Sequence, residues 1–347
     1  MYTEDSYASL HIDRKWRKLL AEAANHGLSQ GTWSSYKSAL KALKACETET
    51  GKCMNFPLSG QEVLTFVAWL ANKGLTQRTI SVYLAGIRQC HLVRGVELPI
   101  LRSPVVNMVL EGKKHADLAD KKKYGDDSRL PMTPALMKLL KEEIRNDSIH
   151  PQLKLLLWSV STLAFNGGFR VHELLCRKVN TFDPSVSLLG QDLIKKTCTI
   201  KGRRVNTLQI LLKSEKQDRI GKSTIVDVYS SGGALCPLKA FEKWKASNPP
   251  VNARKPAFRD PDGKPVTGRR FNAYLKKYLA KYTKGSRRKI TSHSFRGGLA
   301  SLMGELGFSD NEIKAVGRWS SRCFEDYLKL PRTRRLEMAR KIGNLHL

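Results

Sequence analysis

Apolar residues recur at helical spacing through the first third of the chain. In one segment Trp33, Tyr36, Leu40 and Leu43 follow one another at intervals of three and four residues, opposite a basic face. That period places side chains on one face of an α-helix. Similar segments follow, and several end at a glycine, the residue that most readily adopts the backbone conformation needed after the last helical turn. We predict an all-helical unit over residues 1–112.

The stretch from residue 113 to 130 breaks this pattern, because it is polar, highly charged and without periodicity. Such a stretch is typical of a connection between domains, so we predict a linker at 113–130. Two interpretations of its lysines stay open: they follow a phosphate backbone, or they belong to an ordinary exposed loop. Thr133 followed by Pro134 is typical of a helix start and marks the beginning of a second domain over residues 131–347.

The pattern changes again between residues 193 and 229. Leu208, Ile210 and Leu212 alternate with other side chains, and a second alternating run follows the polar segment KSEKQDRIGK. Alternation with a period of two predicts strands, here two in an antiparallel sheet with residues 196–200 as a candidate third. Helical patterns return afterwards. We therefore predict a mainly α fold with a small antiparallel β-sheet, in two domains.

The charge balance points to a polyanionic partner. The chain carries 61 Lys and Arg against 31 Asp and Glu, a net charge of +30. Solubility needs no such excess, so nucleic acid is the first candidate partner and an anionic membrane surface the second. We predict no membrane partner, because no lipidation signal is found. Between Arg254 and Arg296 there are 14 Lys and Arg against two Asp, which indicates a surface that faces the phosphates of duplex DNA.

The cysteines favour neither a disulfide framework nor a zinc site. The seven are odd in number, scattered and never in C-x-x-C pairs, and the eight histidines do not cluster with them. We expect a reducing compartment, no metal and no cofactor.

Candidate chemistry concentrates near the end of the chain. His293 and Arg296 are three residues apart, so a helix places both on one face. Arg318 and Trp319 follow a glycine that suits a helix end, and Tyr327 lies on a last predicted helix. A tyrosine among cations is suited to attack on a phosphodiester.

Three motifs follow one another along the chain: NGGFRVHEL with Arg170 and Glu173, HSFRGG with His293 and Arg296, and GRWSSRCFEDY with Tyr327. In this order they resemble the motifs of the tyrosine recombinase (phage integrase) superfamily, which shares its catalytic fold with type IB topoisomerases. Each motif is weak alone, and the ordered set is specific. The G-R-W-S-S sequence and CPLKAFEKW are most similar to recombinases of eukaryotic mobile elements of the Crypton, DIRS and Ngaro types. The resemblance implies a helical core-binding domain and a catalytic domain that close on DNA as a clamp.

Two site positions stay open under this resemblance. Most relatives have His or Trp nine residues before the nucleophile, where this chain has Arg318, with Trp319 one residue further on. We favour Trp319 as an indole donor and keep Arg318 as the alternative. The hairpin lysine of the family aligns with Lys216, and Lys213 is the reserve. We interpret His172 as structural.

The resemblance implies a metal-independent reaction. Tyr327 would attack the phosphorus, while His293 accepts its proton. Arg170 and Arg296 would hold the non-bridging oxygens, and Lys216 would protonate the leaving 5′-oxygen. The product is a 3′-phosphotyrosine bond, which a second DNA 5′-hydroxyl can reverse.

The predicted function is site-specific DNA recombination on double-stranded DNA with inverted-repeat-like sites. The alternatives are a domesticated DNA-binding protein that has lost catalysis and a relaxing type IB topoisomerase. The family implies a dimer on one site and a tetramer in synapsis, with residues 333–347 packing on the next protomer or, alternatively, in cis. It also implies a nuclear location for a eukaryotic protein, and otherwise a reducing intracellular one.

Overall fold

The computed structural model describes Thr3, Asp5 and residues 11–124, 129–177, 182–213, 223–248, 254–284 and 288–319. The chain divides into two compact units, Met1–Asp126 and Asp127–Leu347. Each unit has its own hydrophobic core.

The described part of the first unit is helical. Its helices are α1 (Arg14–His26), α2 (Gln30–Thr50), α3 (Gly60–Asn72), α4 (Gln77–Val93) and α5 (Pro104–Tyr124). Phe66, Ile80 and Ile87 are fully buried in the core between them. Helices α2 and α4 approach closely because Gly86 has no side chain: a methyl group there would lie 2.9 Å from the ring of Tyr36.

The linker prediction is wrong for residues 113–124, which continue helix α5 to Tyr124. Polar side-chain contacts, rather than a periodic apolar face, hold this part of the helix. Lys113 pairs with Asp117 one turn later at 2.5 Å, and the Asp117 carboxylate accepts a hydrogen bond from the backbone N–H of Gln77 at 2.7 Å. Asp117 thus caps the N-terminus of α4, where Thr76 makes no side-chain capping bond. A contact to a residue 40 positions away leaves no trace in local periodicity.

The second unit surrounds a buried central helix. Its helices are α6 (Pro134–Asn146), α7 (Pro151–Asn166), α8 (Val171–Leu174), α9 (Pro237–Ser247), α10 (Gly268–Leu279), α11 (Ser292–Leu306) and α12 (Asp310–Gly317). Helix α7 is apolar on nearly all sides because α6, α9 and α11 all pack against it. The Thr133 side chain caps α6 through the N–H of Leu136, at the helix start expected from the sequence.

A three-stranded antiparallel sheet lies between α8 and α9 in the chain. Its strands are β1 (Leu193–Ile200), β2 (Arg203–Leu212) and β3 (Thr224–Tyr229), in the order β1-β2-β3. The candidate third strand is therefore present and begins at Leu193 rather than at residue 196. Leu208, Ile210 and Leu212 alternate inward and are buried, as their spacing predicts.

The predicted fold class, mainly helical with a small antiparallel sheet, is confirmed. Among the described residues, no helix is long and apolar enough to cross a membrane.

Candidate active site

The turn between α7 and α8 brings Arg170 to the site. Gly168 has a left-handed backbone (φ 56°), and a methyl group on Gly167 would lie 2.1 Å from the ring of Phe169. Both positions therefore require glycine. The sequence N-G-G-F-R folds into a tight corner that ends α7 and starts α8 at Arg170.

Glu173 holds Arg170 in place at two points. One carboxylate oxygen accepts from the Arg170 guanidinium at 2.8 Å, and the other accepts from its backbone N–H at 2.9 Å. The Glu173 side chain is only 5% exposed. A carboxylate this deeply buried needs paired cations to remain charged.

A second arginine reaches the same carboxylate from the end of α12. Arg318 donates to Glu173 at 2.8 Å and to the carbonyl of Gly167 at 3.0 Å, and its guanidinium lies 4.9 Å from the centre of the Phe169 ring. The Arg318 backbone is left-handed (φ 53°, ψ 48°). That conformation is uncommon for a residue with a side chain, and here it ends the helix and turns the guanidinium toward α8.

Helix α11 contributes Arg296, which is 5% exposed. Its guanidinium donates to the carbonyl of Gly168 at 2.6 Å and to that of Arg318 at 3.3 Å. The helix lies close to the backbone of Met132, because a methyl group on Gly298 would fall 1.9 Å from the Met132 carbonyl oxygen. Through its two hydrogen bonds, Arg296 connects the turn before Arg170 with the turn at Arg318.

Trp319 packs beneath Arg296. The Arg296 guanidinium lies 4.5 Å from the centre of the indole, a cation–π contact. Trp319 is 8% exposed and belongs to an apolar cluster that includes Leu299 and Ile313. Gly317 makes room for it, since a methyl group there would lie 1.6 Å from the indole ring. Whether Trp319 or Arg318 contacts a phosphate stays a prediction, but the two side chains have distinct surroundings.

His293 lies in the first turn of α11 with an exposed side chain. Its pKa is lowered to about 4. Loss of hydration is the largest cause, and further contributions come from the charges of Arg129, His172, Arg296 and Arg170. The imidazole is therefore neutral at pH 7.

His172 packs over the start of α10, where a methyl group on Gly268 would lie 3.2 Å from the imidazole. Its pKa is lowered, first by burial and then by the charge of Arg177, while Glu173 acts in the opposite direction. The packing is in line with a structural role, which remains an interpretation.

Of the two candidate hairpin lysines, Lys213 lies in the described part of the chain. Lys213, at the end of β2, pairs with the buried Asp192 at 2.8 Å and donates to the carbonyl of Pro184 at 3.0 Å. These contacts hold Lys213 against Asp192, and which of the two lysines serves the reaction stays a prediction. Lys216 lies outside the described residues, as does Tyr327.

The described site thus brings together Arg170, Glu173, Arg296, Arg318 and Trp319, with His293 on the same helix as Arg296. Sequence reasoning missed the carbonyl groups of Gly167 and Gly168, which orient two of the arginines. The glycine pair in N-G-G-F-R was the available signal, because paired glycines bring a backbone close to its neighbours. No group of three or more His, Cys, Asp or Glu side chains within the described ranges could hold a metal ion.

Comparison with known proteins rests on structure. No family model and no curated protein sequence matches the chain. The Tn1549 transposon integrase in complex with transposon right-end DNA superposes with a TM-score of 0.56 over 98% of this chain and 99% of its own, at 14% identity. The same integrase with circular-intermediate DNA gives 0.55 over 90% and 94%, at 15% identity. The XerH site-specific recombinase on a palindromic difH substrate gives 0.57 over 89% and 79%, at 14% identity.

The chain has the tyrosine recombinase fold. The similarity extends over most of its length, so it includes both compact units and not the arginine cluster alone. At these identities the comparison establishes the fold, and the chemistry rests on the site residues themselves.

Proposed function

We propose that this chain is a site-specific DNA recombinase that cuts and rejoins duplex DNA through a tyrosine. The observation that carries the proposal is the arginine cluster around Glu173, in which Arg170 and Arg318 share one buried carboxylate and Arg296 bonds to the adjoining turn. Concentrated, pre-positioned guanidinium groups stabilise the negative charge that builds up on a phosphate during displacement.

In the proposed reaction, the Tyr327 oxygen attacks phosphorus and a new P–O bond to the tyrosine forms. The bond from phosphorus to the DNA 5′-oxygen breaks. His293, neutral at pH 7, takes the phenolic proton, and Lys216 supplies a proton to the departing 5′-oxygen. Rejoining is the reverse, with a 5′-hydroxyl as nucleophile. Oxidation state does not change, and arginines supply the positive charge.

The surroundings of the arginines support a separate role for each. Arg170 and Arg296 hold the non-bridging oxygens. Arg318, anchored by Glu173, supplies a third donor at the position where the family has His or Trp, and Trp319 supports Arg296 from below. This assignment reverses the preference for Trp319 drawn from the sequence, because the indole packs against the Arg296 guanidinium, and it gives Arg318 and Trp319 separate tasks.

Duplex DNA is the proposed substrate. The Tn1549 integrase and XerH structures contain transposon and palindromic DNA, respectively, and the net charge of +30 suits the same class of ligand. We further propose inverted-repeat sites, a dimer on each site and a tetramer in synapsis, with the two units closing as a clamp. Membership of a eukaryotic mobile-element lineage, and with it a nuclear location, is supported by the G-R-W-S-S sequence.

The test uses a nicked suicide duplex built from terminal repeats in the DNA that flanks the gene. The unchanged protein should form a covalent adduct that survives denaturing electrophoresis. Tyr327→Phe should bind the same duplex and form none. Adducts with the phenylalanine variant would overturn the assignment. Binding without adducts from the unchanged protein would favour the domesticated DNA-binding alternative, and relaxation of supercoiled DNA without a target site would favour a topoisomerase.

A further inference from the structure

A β-ribbon projects from the sheet in the second unit. Strand β3 pairs with β2 only from Thr207 onward. The pairs between residues 197–200 of β1 and 203–206 of β2 therefore have no third strand beside them. We call residues 197–206 the ribbon. Its four paired positions extend about 13 Å.

Neither face of the ribbon packs on the protein. In β1 every residue after Leu193 is exposed, and in β2 the first fully buried position is Thr207. The tip is a tight turn in which Lys201 (φ 48°) and Gly202 (φ 77°) are both left-handed. Two such residues form the hairpin turn whose twist matches that of antiparallel strands. The ribbon is thus a regular element that projects into solvent.

The ribbon and its base are purely cationic. From Leu193 to Asn206 the sequence has five Lys and Arg and neither Asp nor Glu. Lys195 pairs with Glu242. Lys196 at the base of the ribbon, and Lys201, Arg203 and Arg204 within it, make no ion pair with any described residue.

Cationic side chains extend from both faces of the ribbon and its base and from the tip. Because side chains alternate along a strand, Lys196 and Arg203 lie on one face, and Arg204 on the face that carries the buried Leu208 further along. Lys201 is at the tip. An apolar partner would leave these charges unmatched, whereas the two phosphate strands that flank a groove would match them.

We propose that the ribbon is a second DNA-binding element, which lies in the major groove of duplex DNA away from the cleaved phosphate. A two-stranded ribbon fits the major groove, which is about 12 Å wide. The tip and Lys213 lie at opposite ends of the ten-residue β2, about 33 Å apart by strand length. That separation is close to one turn of duplex, about 34 Å. The proposal rests on the proposed function only in taking duplex DNA as the ligand.

The first test measures how binding depends on salt. We use Tyr327→Phe, so that cleavage does not interfere, and a mixed-sequence duplex of roughly 40 base pairs, about four helical turns. Replacing Lys196, Lys201 and Arg203 together by Gln should make the slope of log K against log salt shallower by about 0.9 for each phosphate that the variant no longer neutralises. The matched control replaces the exposed Lys239, Lys243 and Lys245 of α9 by Gln. It should change the slope by less than the ribbon variant does.

The second test uses a natural probe, since Cys198 is an exposed free cysteine on the ribbon. Saturating duplex should slow its alkylation by iodoacetamide several-fold, measured by peptide mass spectrometry. The triple ribbon variant should lose most of that protection at equal occupancy.

An unchanged slope together with unprotected Cys198 would overturn the ribbon proposal. If the unchanged protein still formed covalent adducts with the suicide duplex, the proposed function would stand without it. Failure of the protein to bind duplex DNA at all would overturn both. Protection of Cys198 only by an acidic protein would assign the ribbon to a protein partner and contradict the proposal.

Discussion

Arg318 and Glu173 are 145 residues apart in the chain, and their side chains meet at 2.8 Å. The same carboxylate accepts from Arg170 at 2.8 Å. All three side chains are largely buried, with 5% exposure for Glu173, 17% for Arg170 and 11% for Arg318. One acid therefore fixes the separation of two guanidinium groups that come from different ends of the second unit.

Replacing Glu173 by Gln should destabilise the protein and abolish adduct formation. The amide keeps the shape but leaves two buried guanidinium groups without their counter-charge, which costs about 3–5 kcal/mol of unfolding free energy when a buried pair is broken. Urea denaturation measures the loss.

The control for Glu173 is Glu142→Gln. Glu142 pairs with Arg145 on α6, but the side chains are 46% and 71% exposed. An exposed pair contributes at most about 1 kcal/mol. Equal losses from the two variants would contradict the role given to Glu173.

The two lysine candidates should behave differently. Lys213→Met leaves the 3%-exposed Asp192 without its cation, so unfolding should become easier by a few kcal/mol. Lys216→Met should leave stability unchanged and lower the cleavage rate. A substrate with sulfur in place of the leaving 5′-oxygen should restore the Lys216 variant, because a thiolate departs without a proton. Restoration of Lys213→Met instead would reverse the assignment.

Arg318 and Trp319 should be separable by conservative changes. Arg318→Gln should lower the cleavage rate by roughly a hundredfold or more, as expected for loss of one charge-stabilising donor. Trp319→Phe keeps an aromatic ring against Arg296 and removes the indole N–H, so its rate should stay within a few-fold. Single-turnover adduct formation measures both. A large loss with Trp319→Phe and a small one with Arg318→Gln would make the indole the phosphate donor.

His293 predicts a pH dependence. Its pKa is about 4 in the folded chain and about 6.5 when unfolded. Between these values the unfolded state binds the extra proton, so this residue's contribution to stability is complete above pH 6.5 and is lost as the pH falls toward 4. Imidazole NMR should give a midpoint near 4. A midpoint above 6 would contradict the surroundings described for His293.

Sequence reasoning succeeded where structure is local. Periodicity located the helices and the buried side of β2, and Thr133 with Pro134 marked the start of α6. It failed at 113–124, where Asp117 reaches the start of α4.

The sequence predicted which residues form the site, and helical spacing placed His293 and Arg296 on one face. Their partners could not be read in the same way. The Arg296 hydrogen bond to the Gly168 carbonyl joins residues 128 positions apart in the sequence. The Arg318 hydrogen bond to Glu173 joins residues 145 positions apart. Such contacts depend on how α11 and α12 pack against the α7–α8 turn, which no local pattern encodes.

The central claim is that Tyr327 becomes covalently joined to DNA. The direct measurement is to trap the adduct on the suicide duplex, digest the protein and the DNA, and locate the nucleotide-bearing peptide by mass spectrometry. The account predicts a 3′-phosphonucleotide on Tyr327 and on no other residue. A nucleotide on a different tyrosine or on a serine, or no modified peptide from an adduct that survives denaturation, would contradict it.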